Sequence, residues 1–178
     1  QHDGRISASE NKGEITGSTN LGGIVGSVGI EIDFDPDGDV TKVGDYSLNF
    51  HYQTRALLTG CTNSGAVTGR NDYAGGITGQ AYIGQITGCQ SYGAVSTDGS
   101  YVGGIAGLSS AGIRSSWAKL TLSGKSSVGG IVGSGVQENV DGSGSSVRWN
   151  YSLVDITDCQ QYQGAISGSD TGTFEHNY

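Results

Sequence analysis

Short apolar runs, separated by glycine and small polar residues, recur along this chain with a period. Gly-Gly followed by an apolar residue occurs four times, as GGIVG at 22–26, GGITG at 75–79, GGIAG at 103–107 and GGIVG at 129–133. The second and third copies start 28 residues apart and the third and fourth 26 apart. The first and second start 53 apart, about two periods, so that interval carries an insertion. A second landmark keeps the same beat: Cys61, Cys89 and Trp117 are each 28 residues apart. Cys61 opens CTNSGAVTG, Cys89 opens CQSYGAVS, Trp117 opens WAKLTLSG and Cys159 opens CQQYQGAISG, while Ser9 heads the comparable SENKGEITG.

Each unit therefore holds three apolar stretches. One carries Ile15, Val67, Val95 or Leu122. The second is the GGI stretch with Ile24, Ile77, Ile105 or Ile131. The third carries Leu58, Ile86, Ile113 or Ile156. Gly, Ser, Thr, Asn and Asp between them are turn formers, and no helical period is present. Three short strands per unit, repeated, predict an all-β chain folded as a β-solenoid of about four or five coils, with a β-sandwich as the alternative architecture. A unit this short cannot bury its own apolar face, but stacked coils pair every strand with the coil above and below, at about 4.8 Å per coil. Equivalent residues then form ladders. The Ile of GGI is expected to point inward and the residue after it (Val25, Thr78, Ala106, Val132) outward. The flanking glycines are expected either at corners of positive φ or where two backbones approach closely.

The words VGGIAG at 102–107, VGGIVG at 128–133 and GQITGCQSYGAV at 84–95 resemble the GLUG motif family, whose repeats follow the form vGGivG…GxIxnCyntGxVxg. Residues 73–79 and 21–26 match less closely, the unit at 117–124 departs, and the last unit lacks a Gly-Gly word. The resemblance implies a repeat region of large bacterial surface proteins, such as adhesin-like proteins and immunoglobulin A peptidases. There it serves as a stalk or binding scaffold separate from any catalytic domain, and it supplies no catalytic residue.

Two stretches interrupt the repeat within what reads as one domain over 1–178. The first, at about 28–60, alternates Ile30, Ile32 and Phe34 with acidic residues, then Tyr46, Leu48, Phe50 and Tyr52 with polar ones, as a hairpin would. It is expected to shield the first coil or to present a partner-binding face. The second, at about 136–153, holds the loop DGSGSS and the strand-like VRWNYSLV with Trp149 and Tyr151.

Composition and charge narrow the function. Hydrophobic residues make up 34% of the chain, which predicts a thin core of small side chains. A net charge of −8 argues against binding a nucleic-acid backbone or anionic lipid. No apolar stretch approaches the roughly 20 residues of a membrane span. The start at Gln1, without a signal-like segment, fits a mature or trimmed chain belonging to a larger polypeptide. An extracellular setting, on a bacterial surface or secreted, follows from the resemblance. The partners expected there are a host or matrix protein or a glycan.

Candidate chemistry is sparse. Asp33, Asp35, Asp37 and Asp39 in DFDPDGD sit at alternate positions before glycine, as in a loop that wraps Ca²⁺. The twelfth place holds Gly44 instead of a bidentate Glu, and an acidic turn at Pro36–Gly38 is the competing reading. Calcium is the only cofactor to expect. Asp170-Thr171-Gly172 spells the aspartic-protease tripeptide once, whereas that chemistry needs two such carboxylates. His2, His51 and His176 make no metal-spaced pair, and three cysteines form no zinc pattern. The cysteines are expected as free, buried thiols in ladder positions. The chain thus reads as a non-catalytic structural or binding module. A calcium-assisted, polysaccharide-cleaving β-helix and a substrate-positioning fragment of a surface protease are the alternatives.

Overall fold

The computed structural model describes residues 4–29, 56–136, 144–169 and 171–178. These form 25 strands of two to four residues and no helix. They wind into five coils and the start of a sixth. Coil one holds β1 (Arg5–Ser7), β2 (Glu10–Asn11), β3 (Ile15–Thr16), β4 (Leu21–Gly22) and β5 (Val25–Val28). Coil two holds β6 (Leu57–Thr59), β7 (Thr62–Asn63), β8 (Val67–Gly69), β9 (Ala74–Gly75) and β10 (Thr78–Ala81). Coil three holds β11 (Gln85–Thr87), β12 (Gln90–Ser91), β13 (Val95–Thr97), β14 (Val102–Gly103) and β15 (Ala106–Ser109). Coil four holds β16 (Gly112–Arg114), β17 (Trp117–Ala118), β18 (Thr121–Ser123), β19 (Ser126–Gly129) and β20 (Val132–Gly135). Coil five holds β21 (Ser146–Arg148), β22 (Tyr151–Ser152), β23 (Asp155–Asp158) and β24 (Gln161–Gly164), and β25 (Thr173–Glu175) opens the sixth.

Each strand pairs in parallel with its equivalents one coil up and down, giving five sheets that run along the axis. The fold is the expected parallel β-solenoid. Its coil has five strands rather than three, because β2, β7 and β12 are two-residue polar strands that carry no apolar signal, and because each GGI stretch bends into two strands, as β9 and β10 do on either side of Gly76 and Ile77.

Inward ladders build the core. The first sheet stacks Ile6, Leu58, Ile86, Ile113, Val147 and Phe174. The third stacks Ile15, Val67, Val95, Leu122 and Ile156. Ile156 was expected beside Leu58, but Val147 holds that place. The Ile ladder of the GGI words runs Ile24, Ile77, Ile105, Ile131 and then Ile166, through backbone bonds from each amide to the next coil's carbonyl. GAISG at 164–168 is therefore the fifth copy, with Ala165 where the others carry a second glycine. That shift explains why Ile156 and Cys159 lie outside the ladders expected for them. Burial falls off at the ends: Ile77, Ile105 and Ile131 are fully enclosed, whereas Ile24 and Ile166 are only partly so.

The residue after each GGI isoleucine does not face solvent. Thr78, Ala106 and Val132 are fully buried. The glycines supply the reason. A Cβ on Gly75 would lie 2.9 Å from the Ala106 Cα, and one on Gly103 would lie 1.9 Å from the Ala106 carbonyl oxygen. The fifth sheet doubles back flat against the fourth, and no side chain fits between them. None of the glycines in the GG words has positive φ, so close approach is their role. The positive-φ corners lie elsewhere and recur in register, at Ala8, Gly60, Gly88, Ser115, Trp149 and His176, and again at Asn20, Tyr73, Tyr101, Ser127 and Tyr162.

Of the stretch 28–60, Val28 and Leu57–Thr59 lie on rungs of the solenoid. Of 136–153, Ser146–Arg148 and Tyr151–Ser152 do. Both interruptions leave the coil at one corner, between the fifth sheet and the first.

Candidate binding face

The residues singled out for calcium, Asp33, Asp35, Asp37 and Asp39, lie outside the described residues, as does Asp170. Among the described residues no three His, Cys, Asp or Glu side chains group as a metal site.

The cysteines divide. Cys61 and Cys89 are buried free thiols on neighbouring rungs, as expected. The Cys89 Sγ donates to the Leu58 and Thr87 carbonyls at 3.6 Å, and burial pushes its thiol up to about 11. Cys159 is not on this ladder. It sits half-buried between β23 and β24 with its Sγ 3.1 Å from the Gln161 carbonyl oxygen. The ladder continues instead through Ser116, Asn150 and Asn177. The Cys89 amide donates to the Ser116 Oγ at 3.1 Å, the Ser116 amide to the Asn150 Oδ1 at 2.9 Å, and the Asn150 amide to the Asn177 Oδ1 at 3.0 Å. Trp117 is thus one residue past the Cys position. It pairs with Gln90 and points out.

That outward register gathers the exposed aromatic residues. On the second sheet the outward rung runs Glu10, Thr62, Gln90, Trp117 and Tyr151. Tyr178 continues it, since its amide donates to the Asn150 carbonyl and its ring stacks on Tyr151 at 5.4 Å. Tyr92 adjoins the stripe and its hydroxyl accepts from the Trp117 Nε1 at 2.7 Å. Tyr151 is 60% exposed and Tyr178 67%. At the neighbouring corner Trp149 is 50% exposed and stacks on His176 at 6.2 Å.

Beside this corner, the outward rung of the first sheet runs Ser7, Thr59, Thr87, Arg114, Arg148 and Glu175. Two guanidinium groups thus stand on adjacent coils. The Arg148 Nε meets the Glu175 Oε2 at 3.5 Å. Arg114 donates from Nε to the Thr87 Oγ1 at 3.3 Å and makes no ion pair among the described residues.

No family model matches the chain, and no curated protein and no solved structure matches it. The face therefore has to be read from its own chemistry. It offers ring edges, an indole at a corner, phenol hydroxyls and two guanidiniums. Its individual residues were visible in the sequence: Trp149 and Tyr151 stand in VRWNYSLV. Their alignment with Trp117, Tyr178 and the arginines was not, because it depends on a 27-residue step from Cys89 to Ser116 that shifts the rung by one.

Proposed function

We propose that this chain is a non-catalytic binding and spacer module of a bacterial cell-surface or secreted protein, in which a stiff solenoid holds out one recognition face. What carries the reading is the collection of exposed aromatic side chains on one side of the C-terminal coils, at Trp117, Trp149, Tyr151 and Tyr178. Tyr and Trp supply large contact area with few rotatable bonds, and exposed aromatic clusters are how binding surfaces concentrate energy. The GLUG-like words support the same setting, that of an adhesin-like stalk.

The test is a binding panel of host matrix proteins and surface glycans against the immobilised chain, with a Trp149→Ala/Tyr151→Ala double variant beside it. Capture of a ligand by the parent and its loss from a folded double variant is the expected result. Capture that ignores both substitutions would remove the face from the account, and a ligand shortened on incubation would make the chain an enzyme. The acidic run is a separate proposal carried by sequence alone. If Asp33, Asp35, Asp37 and Asp39 hold calcium, Ca²⁺ raises the unfolding midpoint by mass action, and Asp35→Ala or Asp37→Ala abolishes the rise. An unchanged midpoint leaves an acidic turn.

A further inference from the structure

Resting on the reading of this face as a recognition surface, we propose that its ligand is a linear glycan bearing spaced carboxylates, lying along the solenoid axis over Arg114, Arg148 and Trp149.

Three observations converge on this chemistry. First, Arg114 and Arg148 are directly opposed on neighbouring strands, an arrangement that is unfavourable for like charges. Arg148 is compensated in part by Glu175, whereas among the described residues Arg114 meets a hydroxyl and no carboxylate. A guanidinium is planar and presents parallel donors to a carboxylate, so an acidic ligand satisfies what the protein does not. Second, Trp149 occupies a positive-φ corner at φ 56° where coils two and three place Gly60 and Gly88. A bulky residue in that region is strained, and although its ring stacks on His176 of the same corner one coil on, half its surface is exposed and open to a ligand. Third, the groups repeat along the axis at about 4.8 Å per coil, so they form a linear array that an extended chain can follow. Sugar rings carry an apolar C–H side and a polar rim, matching indole and ring edges flanked by Tyr hydroxyls.

The rest of the molecule limits the choice. A net charge of −8 repels a densely charged polyanion and favours a chain whose carboxylates are spaced out. Leu153 is the one strongly exposed aliphatic side chain here among the described residues, too little to dock a hydrophobic partner helix.

Both tryptophans of the chain, Trp117 and Trp149, lie on this face, so their fluorescence reports on it directly. The experiment titrates the whole chain with uronate hexasaccharides (galacturonate, mannuronate and hyaluronan), with each in carboxyl-reduced form, and with a polyglutamate peptide, at low and high salt. The expected result is at least tenfold tighter binding of one uronate than of its reduced form. That preference weakens with salt and falls at least fivefold in Arg114→Gln and in Arg148→Gln. Trp149→Gly removes binding while leaving the unfolding midpoint unchanged or raised, since glycine relieves the corner. Equal binding of a uronate and its reduced form, indifferent to both arginines, overturns the acidic ligand and keeps the recognition face. Binding of polyglutamate alone overturns the glycan in favour of an acidic peptide. No change with any of these overturns the inference, and the wider panel then decides the fate of the recognition face itself.

Discussion

Coils one and two and coils four to six share one backbone and differ on one face. At equivalent outward rungs the N-terminal coils carry Ser7 and Thr59, the C-terminal ones Arg114 and Arg148. On the next sheet, Glu10 and Thr62 give way to Trp117 and Tyr151. At the corner between these sheets Gly60 gives way to Trp149. Underneath, the inward ladders barely change: Leu58, Ile86, Ile113 and Val147 on the first sheet, and Ile77, Ile105 and Ile131 behind the glycines. The lesson is a division of labour. Inward ladders and glycines fix the coil, which leaves outward rungs free to vary, so a departure from Thr, Ser and Gly toward Arg, Trp and Tyr marks where a repeat scaffold has specialised.

The sharpest way to break the comparison is to attack the shared part. Gly103→Ala puts a methyl group 1.9 Å from the Ala106 carbonyl oxygen, a backbone atom held by the coil on either side. Overpacking of this kind should cost more than about 3 kcal/mol and leave little folded protein, read by circular dichroism and urea unfolding. Next in size is the core ladder. Ile105→Ala, in the fully enclosed middle, should cost roughly 2–5 kcal/mol, and Ile24→Ala, on the partly covered first coil, clearly less. Equal losses at the two sites would mean that the ends are as well packed as the centre.

Much of this architecture was legible. The four GGI words set the repeat, and the Ile, Val and Leu ladders follow from them because a ladder position tolerates only side chains that fill the same slot. What stayed hidden has physical causes. GAISG was unreadable as a fifth copy because Ala165 replaces the second glycine there. Thr78, Ala106 and Val132 were expected outside because strand alternation assumes a Cβ on every neighbour, and the glycines remove it. The binding face was hidden because its columns are formed by stacking across coils, and a one-residue change in coil length moves Trp117 off the Cys rung.

The polar interior of the C-terminal coils sharpens the comparison further. Asn150 is fully buried, accepts from the Ser116 amide, and donates from Nδ2 to the Ile113 carbonyl at 3.0 Å and the Asn177 Oδ1 at 2.9 Å. Asn150→Ala strands those partners and should cost roughly 1–3 kcal/mol. The equivalent rungs of coils two and three use Cys61 and Cys89, which need no such network. Their signature is a pH dependence instead. The Cys89 thiol is raised from 9.0 to about 11 by burial, so the folded state keeps a proton that the unfolded state releases. Its contribution is fully present below pH 9 and is lost as pH rises toward about 11. Cys89→Ser should flatten that alkaline decline, and the half-buried Cys159 should react with a thiol reagent well before Cys61 or Cys89.

The most direct test of the division between shared interior and specialised face is one variant. Trp117→Thr, Trp149→Gly and Tyr151→Thr together give the three aromatic positions of coils four and five the residues that coil two carries there, Thr62 and Gly60, and leave Arg114 and Arg148 in place. The account predicts an unfolding midpoint within a few degrees of the parent and complete loss of ligand capture. A variant that unfolds, or one that still captures the same ligand, would contradict it.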